Sequence, residues 1–376
     1  MKQDEGAENI QEIINVSLDE DELDNINKTR KMKPGERHSD IVDKGTANGQ
    51  FKNAKPMKRT YIQTPADYQR EVKAMTDAAM NKPYELGELV ARGAEAVLYR
   101  ANCEGYTFCS KSIRNNLNKF LGNQANEHAE KLEHVKYSTK LRHVQNEFEV
   151  SKKLMQMEPM PVVRIFGLRK VKRFGLELGY DLLMEFLEGH DLGDKVLARV
   201  LPIEDKIKVV YQSAQALEYI HKHKLVHLDI KPSNFMLVKG GVKLIDFGVS
   251  VPIGHRANAV TGTGGYLSPE QVCKDLIDEK TDIFALGVTA AVILGAKPLS
   301  QPQKELISSK GRQEAKYQLE AMEQPMLTDI PGLAEMPALA EVLRACTIPR
   351  RDRRIASCMQ LMHMLKLKAE QYGIVI

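Results

Sequence analysis

The chain has 376 residues, enough for one or two domains around a sizeable buried core. Hydrophobic residues make up 43% and charged residues 28%, which is ordinary for a soluble globular protein. The formal net charge of +4 is too small to indicate nucleic-acid or membrane binding. Five cysteines (Cys103, Cys109, Cys273, Cys346, Cys358) are scattered without a C-x-x-C pair, which fits reduced thiols in a cytoplasmic protein better than a disulfide framework or a zinc site. The N-terminus is acidic and lacks the apolar centre of a secretory signal. No apolar run approaches the ~20 residues of a membrane span; the longest, residues 283–295, reads as a buried helix.

Residues 1–62 differ from the rest. Asp19, Glu20, Asp21, Glu22 and Asp24 make the first part acidic, and Lys28, Lys31, Lys33, Arg37, Lys52, Lys55, Lys58 and Arg59 make the second part basic. With almost no aromatics, such a segment cannot bury enough apolar surface to offset its ordering entropy, so a disordered charged tail is expected. Its alternative reading is a docking or targeting arm that binds a partner, with residues 10–16 as a short recognition helix.

Order is expected from Thr64, an N-cap followed by Pro65 at the first helical position and Asp67 in the first turn. A flanking helix over residues 65–80, within a segment 63–82, would stop before Pro83. Strand patterns follow around Leu86, Leu89 and Val90, then Val97, Leu98 and Tyr99 after a turn at residues 92–95, then residues 106–112. Residues 115–157 are polar and helix-favouring; residues 162–168 and 176–186 read as further strands. Helical periodicity dominates beyond Leu192. The expected fold is α+β and bilobal, with a small β-rich lobe over residues 83–187 and a larger helical lobe over 188–376.

The chemistry is concentrated in His227-Leu228-Asp229-Ile230-Lys231-Pro232-Ser233-Asn234, followed past one short strand by Asp246-Phe247-Gly248. The two stretches supply an acid, a lysine and two separate oxygen ligands for a hard cation such as Mg²⁺. The joint pattern, H-x-D-x-K-x-x-N then D-F-G, resembles the protein kinase superfamily, and in particular its eukaryotic-like Ser/Thr members. The resemblance covers about residues 84–370 and none of the tail. It implies an ATP- and Mg²⁺-dependent enzyme that phosphorylates protein Ser/Thr hydroxyls, with no nucleic-acid partner.

The resemblance assigns roles residue by residue. Asp229 matches the aspartate that accepts the hydroxyl proton, and Lys231 the lysine on the γ-phosphate, whose presence favours Ser/Thr acceptors. Asn234 and Asp246 match the metal ligands. Lys111 resembles the strand lysine on the α- and β-phosphates; its helical partner is Glu147, with Glu149 as the competitor, and Ser151 would then fall at an apolar spine position. Ala91, Gly93, Ala96 and Leu98 stand where the phosphate loop and its following strand lie. Only the central glycine of G-x-G-x-x-G remains, and the G-A-E-A sequence is similar to that of small atypical kinases. Met184 resembles the gatekeeper, Glu185 and Leu187 the hinge residues on the adenine edge, Asp191 a ribose contact and Met236 the adenine floor.

The run Gly262-Thr263-Gly264-Gly265-Tyr266-Leu267-Ser268-Pro269-Glu270 resembles the end of an activation segment. Thr263 is expected beside Asp229 and Lys231. Glu270 is expected to pair with Arg353, with Arg354 as the other candidate, and Asp282 to anchor the catalytic loop. Leu228 departs from the arginine that pairs with an activation-loop phosphate in many members. Phosphorylation of Ser250 or Thr261 is therefore not expected to be needed. The altered phosphate loop and Ser151 raise a second reading, a pseudokinase-like nucleotide-binding scaffold.

Overall fold

A computed structural model describes residues 64–118, 135–155, 158–299 and 325–376, with Glu314 and Gln318 between them. The charged tail, and any helix over residues 10–16, lie outside the described residues.

The first element, α1 (Pro65–Asn81), starts as its sequence suggests: the Thr64 hydroxyl accepts from the Asp67 N–H and Pro65 occupies the first position. Five antiparallel strands follow: β1 (Glu85–Arg92), β2 (Val97–Cys103), β3 (Tyr106–Arg114), β4 (Ile165–Arg173) and β5 (Leu176–Glu185). They form one sheet in the order β1-β2-β3-β5-β4. Between β3 and β4 lies α2 (Tyr137–Leu154), which packs on β3, β4 and β5. The polar stretch expected to favour helix therefore holds one ordered helix; residues 119–134 are outside the described set.

Helix α1 is part of this lobe, packed on β4. Ala78 and Ala79 share a core with Ala101, Cys103, Phe108, Phe166 and Leu183. Small residues on the helix let it sit close to the sheet. Arg169 donates from Nη1 to the carbonyls of Ala79 and Lys82 at 2.8 and 3.0 Å, satisfying orphan acceptors at the end of the helix.

Strand β4 begins later than its apolar pattern suggests. Val162 makes only a single parallel bridge to Leu244, and its neighbour Val163 donates its N–H to the Leu244 carbonyl. Apolar content there marks burial where the two lobes join, not membership of the sheet.

The second lobe begins with β6 (Gly189–Asp191), then α3 (Lys195–Val200), α4 (Ile203–Lys222) and β7 (Leu225–Val226). The strands β8 (Phe235–Val238), β9 (Gly241–Leu244) and β10 (Val251–Pro252) frame the motif-bearing loops. Then come α5 (Pro269–Val272), α6 (Glu279–Ile293), α7 (Pro337–Cys346) and α8 (Cys358–Glu370). Helix α6 is buried on nearly every side, as its apolar run from Ile283 to Ile293 requires. Gly287 permits this: a Cβ there would meet the Cys346 Cβ at 2.6 Å, so α7 could not approach as closely.

One expected pairing is corrected. Glu270 is bound by Arg354, not Arg353, at 2.7 Å from Nη1 to Oε1. Residues Arg351–Arg353 form a 3-10 turn that leaves Arg353 exposed and turns Arg354 inward. The Arg354 guanidinium also donates to the carbonyls of Ile348, Pro349 and Lys280 and stacks over Phe284. Burial works against the Glu270 carboxylate, but Arg354 outweighs it and holds the pKa below its usual value.

Removing one partner of such a buried pair strands a charge, at a cost of about 3–5 kcal/mol. Arg354→Ala is therefore expected to lower stability by about that much, whereas exposed Arg353→Ala should stay within about 0.5 kcal/mol. Denaturant unfolding of the two variants measures this, and equal effects would contradict the assignment.

Candidate active site

Sheet register builds the upper wall of the cleft. Lys111 stands opposite Leu98 on one side and Leu182 on the other, and Cys109 opposite Met184. Ala91 pairs with Leu98 across the β1–β2 turn, which closes with the Gly93 N–H donating to the Ala96 carbonyl at 2.9 Å. Ala96 is buried.

On α2, Glu147 faces β3 and its Oε2 accepts from Lys111 Nζ at 2.7 Å. Glu149 points to the exposed side and pairs with Lys152, so of the two glutamates it is Glu147 that meets Lys111. Ser151 is buried, and its hydroxyl donates to the Phe148 carbonyl at 2.7 Å. An internal hydrogen bond thus satisfies a polar group in an otherwise apolar position.

The hinge and lower wall follow. Glu185 is held by Lys243, 2.6 Å from Nζ to Oε1, and by the Arg164 N–H. Leu187 follows in the connection to the second lobe and is partly buried. Asp191 pairs in register with Met236 across β6 and β8, which aligns the expected ribose contact with the expected adenine floor. Asp191 Oδ1 accepts from the Gly193 N–H.

The catalytic loop is anchored from below. Asp282, at the start of α6, accepts from the N–H groups of His227 at 2.7 Å and Leu228 at 2.9 Å. This anchorage matters because Leu228 adopts φ 71°, which costs a non-glycine residue about 1–2 kcal/mol. Asp229 lies one residue further. Its Oδ1 accepts from the Thr263 hydroxyl at 2.6 Å, and its Oδ2 lies 2.9 Å from Lys231 Nζ. Lys231 also donates to Thr263 Oγ1 at 2.9 Å.

Asn234 donates from Nδ2 to the Asp229 carbonyl at 2.7 Å, which leaves its amide oxygen as the atom suited to a cation. The Ile245 N–H donates to the Asn234 carbonyl, drawing Asp246 toward the same cleft. Asp246, with its own φ of 67°, accepts at Oδ1 from Lys111 Nζ at 2.9 Å and from the Gly248 N–H.

Charges in this group shape one another. Burial raises the Asp246 carboxyl, but Lys111 and the Gly248 N–H outweigh it and hold the pKa at about 2. For Glu147 burial dominates over the pull of Lys111, and the pKa is pushed up to about 7. Burial disfavours the Lys111 ammonium, yet Asp246 and Glu147 together raise its pKa.

The donors fit Mg²⁺ with phosphate. Asp246 and Asn234 offer hard oxygens, and among the described residues no three His, Cys, Asp or Glu side chains form a metal cage. Mg²⁺ characteristically binds through one or two protein oxygens, with phosphate and water completing the shell.

Two features had no signal of their own in a motif. Asn146, one residue before Glu147, donates from Nδ2 to the carbonyls of Phe247, Gly248 and Ser250 at 3.0–3.2 Å. Glu95, in the turn after Gly93, lies 2.7 Å from His143 Nδ1 on α2.

This assembly of strand lysine, helix glutamate, catalytic-loop aspartate and D-F-G aspartate across two lobes is that of a protein kinase. Residues 119–365 match the protein kinase domain, and the chain belongs to that family. The match begins after β3, so it excludes the altered phosphate loop and Lys111.

Several relatives are similar over shorter stretches. The serine/threonine-protein kinase PknB of Mycolicibacterium smegmatis is 34% identical over 126 residues, 31% of this chain and 20% of that protein. An Aurora kinase of Candida glabrata is 42% identical over 101 residues, 26% of this chain and 28% of that one. An Aurora kinase of Eremothecium gossypii is 39% identical over 131 residues, 33% of this chain and 35% of its own. The chain thus spans between about a fifth and a third of these relatives.

A Glu147 pKa near 7 gives a testable acid limb. Below it the carboxylate is protonated and the bridge to Lys111 is lost; above it the bridge is complete. Nucleotide affinity is expected to fall between pH 8 and pH 6. Glu147→Gln should bind more weakly and lose that dependence, as measured by fluorescent-nucleotide titration. A variant retaining the wild-type slope would exclude Glu147 as its source.

Proposed function

We propose that the protein is an active Ser/Thr protein kinase that transfers the γ-phosphate of Mg-ATP to hydroxyls of protein substrates. The observation that carries this reading is Lys111 bound to Glu147 and Asp246 at once. Lys111 lies in β3 and Asp246 on the loop after β9, so the single ammonium spans the cleft.

Bound Mg-ATP would supply the phosphoryl group and much of the charge neutralisation. The chain's work is positioning and proton transfer. Lys111 would orient the α- and β-phosphates, Asp246 and Asn234 would hold the metal, and Lys231 would meet the γ-phosphate. Asp229 takes the hydroxyl proton. Thr263 and Asn234 fix its carboxylate so that it points at the acceptor. Met184, Met236, Leu98 and Ala91 would enclose the base, and the backbone of Glu185 and Leu187 would read its edge. Gly93 and Ala96 would cover the phosphates, and Asp191 would meet the ribose.

Lys231 favours Ser and Thr over Tyr, in line with the similarity to serine/threonine-protein kinase PknB. The division into lobes at residues 187 and 188 belongs to the same reading, as does a partner for the charged tail. A cytoplasmic location suits five free, buried cysteines; no helix among the described residues is long and apolar enough to cross a membrane. A nucleotide-binding scaffold without turnover has no observation in its favour, because Ser151 is internally satisfied and the charged groups are in place.

Regulation follows from Leu228. Instead of a cation awaiting a phosphate, it buries itself against Val226, Ile277, Val249, Val251, Ile253 and Ala257. Gln271 Nε2 adds hydrogen bonds to the carbonyls of Leu228 and Thr261. Apolar contact and backbone bonding thereby dock the activation segment.

Phosphate transfer from labelled ATP to casein tests the main reading. Asp229→Asn and Asp246→Asn are each expected to lower transfer by at least about 10²-fold. Persistent labelling in either variant would remove the role given to that residue. Absence of labelling in the wild type, with Mg-ATP still raising the Tm, would instead support a scaffold. The Ser250→Ala, Thr261→Ala double variant should keep activity within about threefold, since the Ser250 hydroxyl is buried and has no hydrogen-bond partner among the described residues. Loss of activity there would show that phosphorylation is required.

A further inference from the structure

The phosphate loop lacks two of the three glycines expected of its family pattern, yet its turn is closed and one of its side chains is anchored. Glu95 and His143 are partly buried, with side-chain exposures of 32% and 20%. Their 2.7 Å contact joins the tip of the β1–β2 turn to α2. Lys140, one turn earlier on α2, is buried and feels the Glu95 charge. His143 also touches the opposite side of the site: a Cβ on Gly248 would meet the His143 Cβ at 3.2 Å.

Residues three and four apart share a helix face. His143, Asn146 and Glu147 therefore line one side of α2, bound respectively to the phosphate loop, the D-F-G segment and Lys111. We propose that Glu95 and His143 form a clasp that holds the phosphate loop closed against α2, so that loop closure and the inward position of α2 are one event.

The physical reasoning is comparative. A loop with three glycines moulds itself onto phosphates through backbone freedom. Alanine at positions 91 and 96 removes much of that freedom, and a loop so stiffened must be held in its working geometry by some other contact. A charge-assisted hydrogen bond from a partly buried helix can do so, because the reduced solvent strengthens it. Both residues are positioning residues: they act on the nucleotide through the loop and touch no reacting atom.

The kinetic half of this proposal rests on the kinase reading; the mechanical half does not. Glu95→Ala, His143→Ala and the double variant serve as a cycle. The first readout is trypsin cleavage after exposed Arg92 in the full chain without nucleotide, followed by mass spectrometry. Each single variant is expected to be cut about tenfold faster there, and the double variant also about tenfold, since both substitutions break the same contact. The second readout is KM for ATP against kcat. KM should rise by about tenfold in all three, with kcat within about threefold, as for lost binding rather than lost chemistry.

Unchanged cleavage at Arg92 in either single variant overturns the clasp, as does a double variant cut about a hundredfold faster. A fall in kcat with KM unchanged overturns it as well, because the pair would then act on the chemical step. If wild type transfers no phosphate while the cleavage cycle behaves as expected, the clasp stands and the kinase reading fails.

Discussion

Lys111 Nζ lies 2.7 Å from Glu147 and 2.9 Å from Asp246. A single ammonium therefore bridges two carboxylates that would otherwise repel across a cleft. The three residues come from β3, from α2 and from the loop after β9, so their meeting requires the sheet, the helix and the second lobe to be assembled together. Burial makes the arrangement exacting. It pushes Glu147 up to about 7, against the opposing pull of the Lys111 charge and a hydrogen bond from the Phe247 backbone. The geometry of the nucleotide site thus depends on one ion pair whose strength is set by exclusion of water.

The second constraint is Asp282. Its carboxylate fixes the backbone of His227 and Leu228 and also meets His221 Nε2 at 3.0 Å. Because Leu228 sits in the left-handed region, the loop would relax without that anchor. Asp229 inherits its place from the strained residue before it. Helix α6, which carries Asp282, is buried on nearly all sides and closely packed.

Where the chain departs from its family, the structure supplies a substitute of a different physical kind. Apolar burial of Leu228 occupies the place of an arginine awaiting phosphate. A side-chain contact from Glu95 to His143 occurs where glycines would give freedom. Each replaces an adjustable element with a fixed one.

The sequence by itself marked the motif residues Asp229, Lys231, Asn234 and Asp246, which sit close together in the chain or at fixed spacing. It determined the α1 start as well, since an N-cap and proline act locally. The bilobal α+β fold was legible because strand and helix periodicities segregate along the chain. Tertiary structure alone decided the rest. The choice of Glu147 over Glu149 depended on which face of α2 met β3. Arg354 took Glu270 because a 3-10 turn rotated it inward. Residues 162–164, at the start of the expected strand, proved to be inter-lobe core rather than sheet, which apolar content cannot distinguish. The roles of Asn146 and Glu95 arise from carbonyls and a histidine distant in sequence. Long-range contacts of that sort leave no periodic or local mark, because they are fixed only when separately formed elements dock.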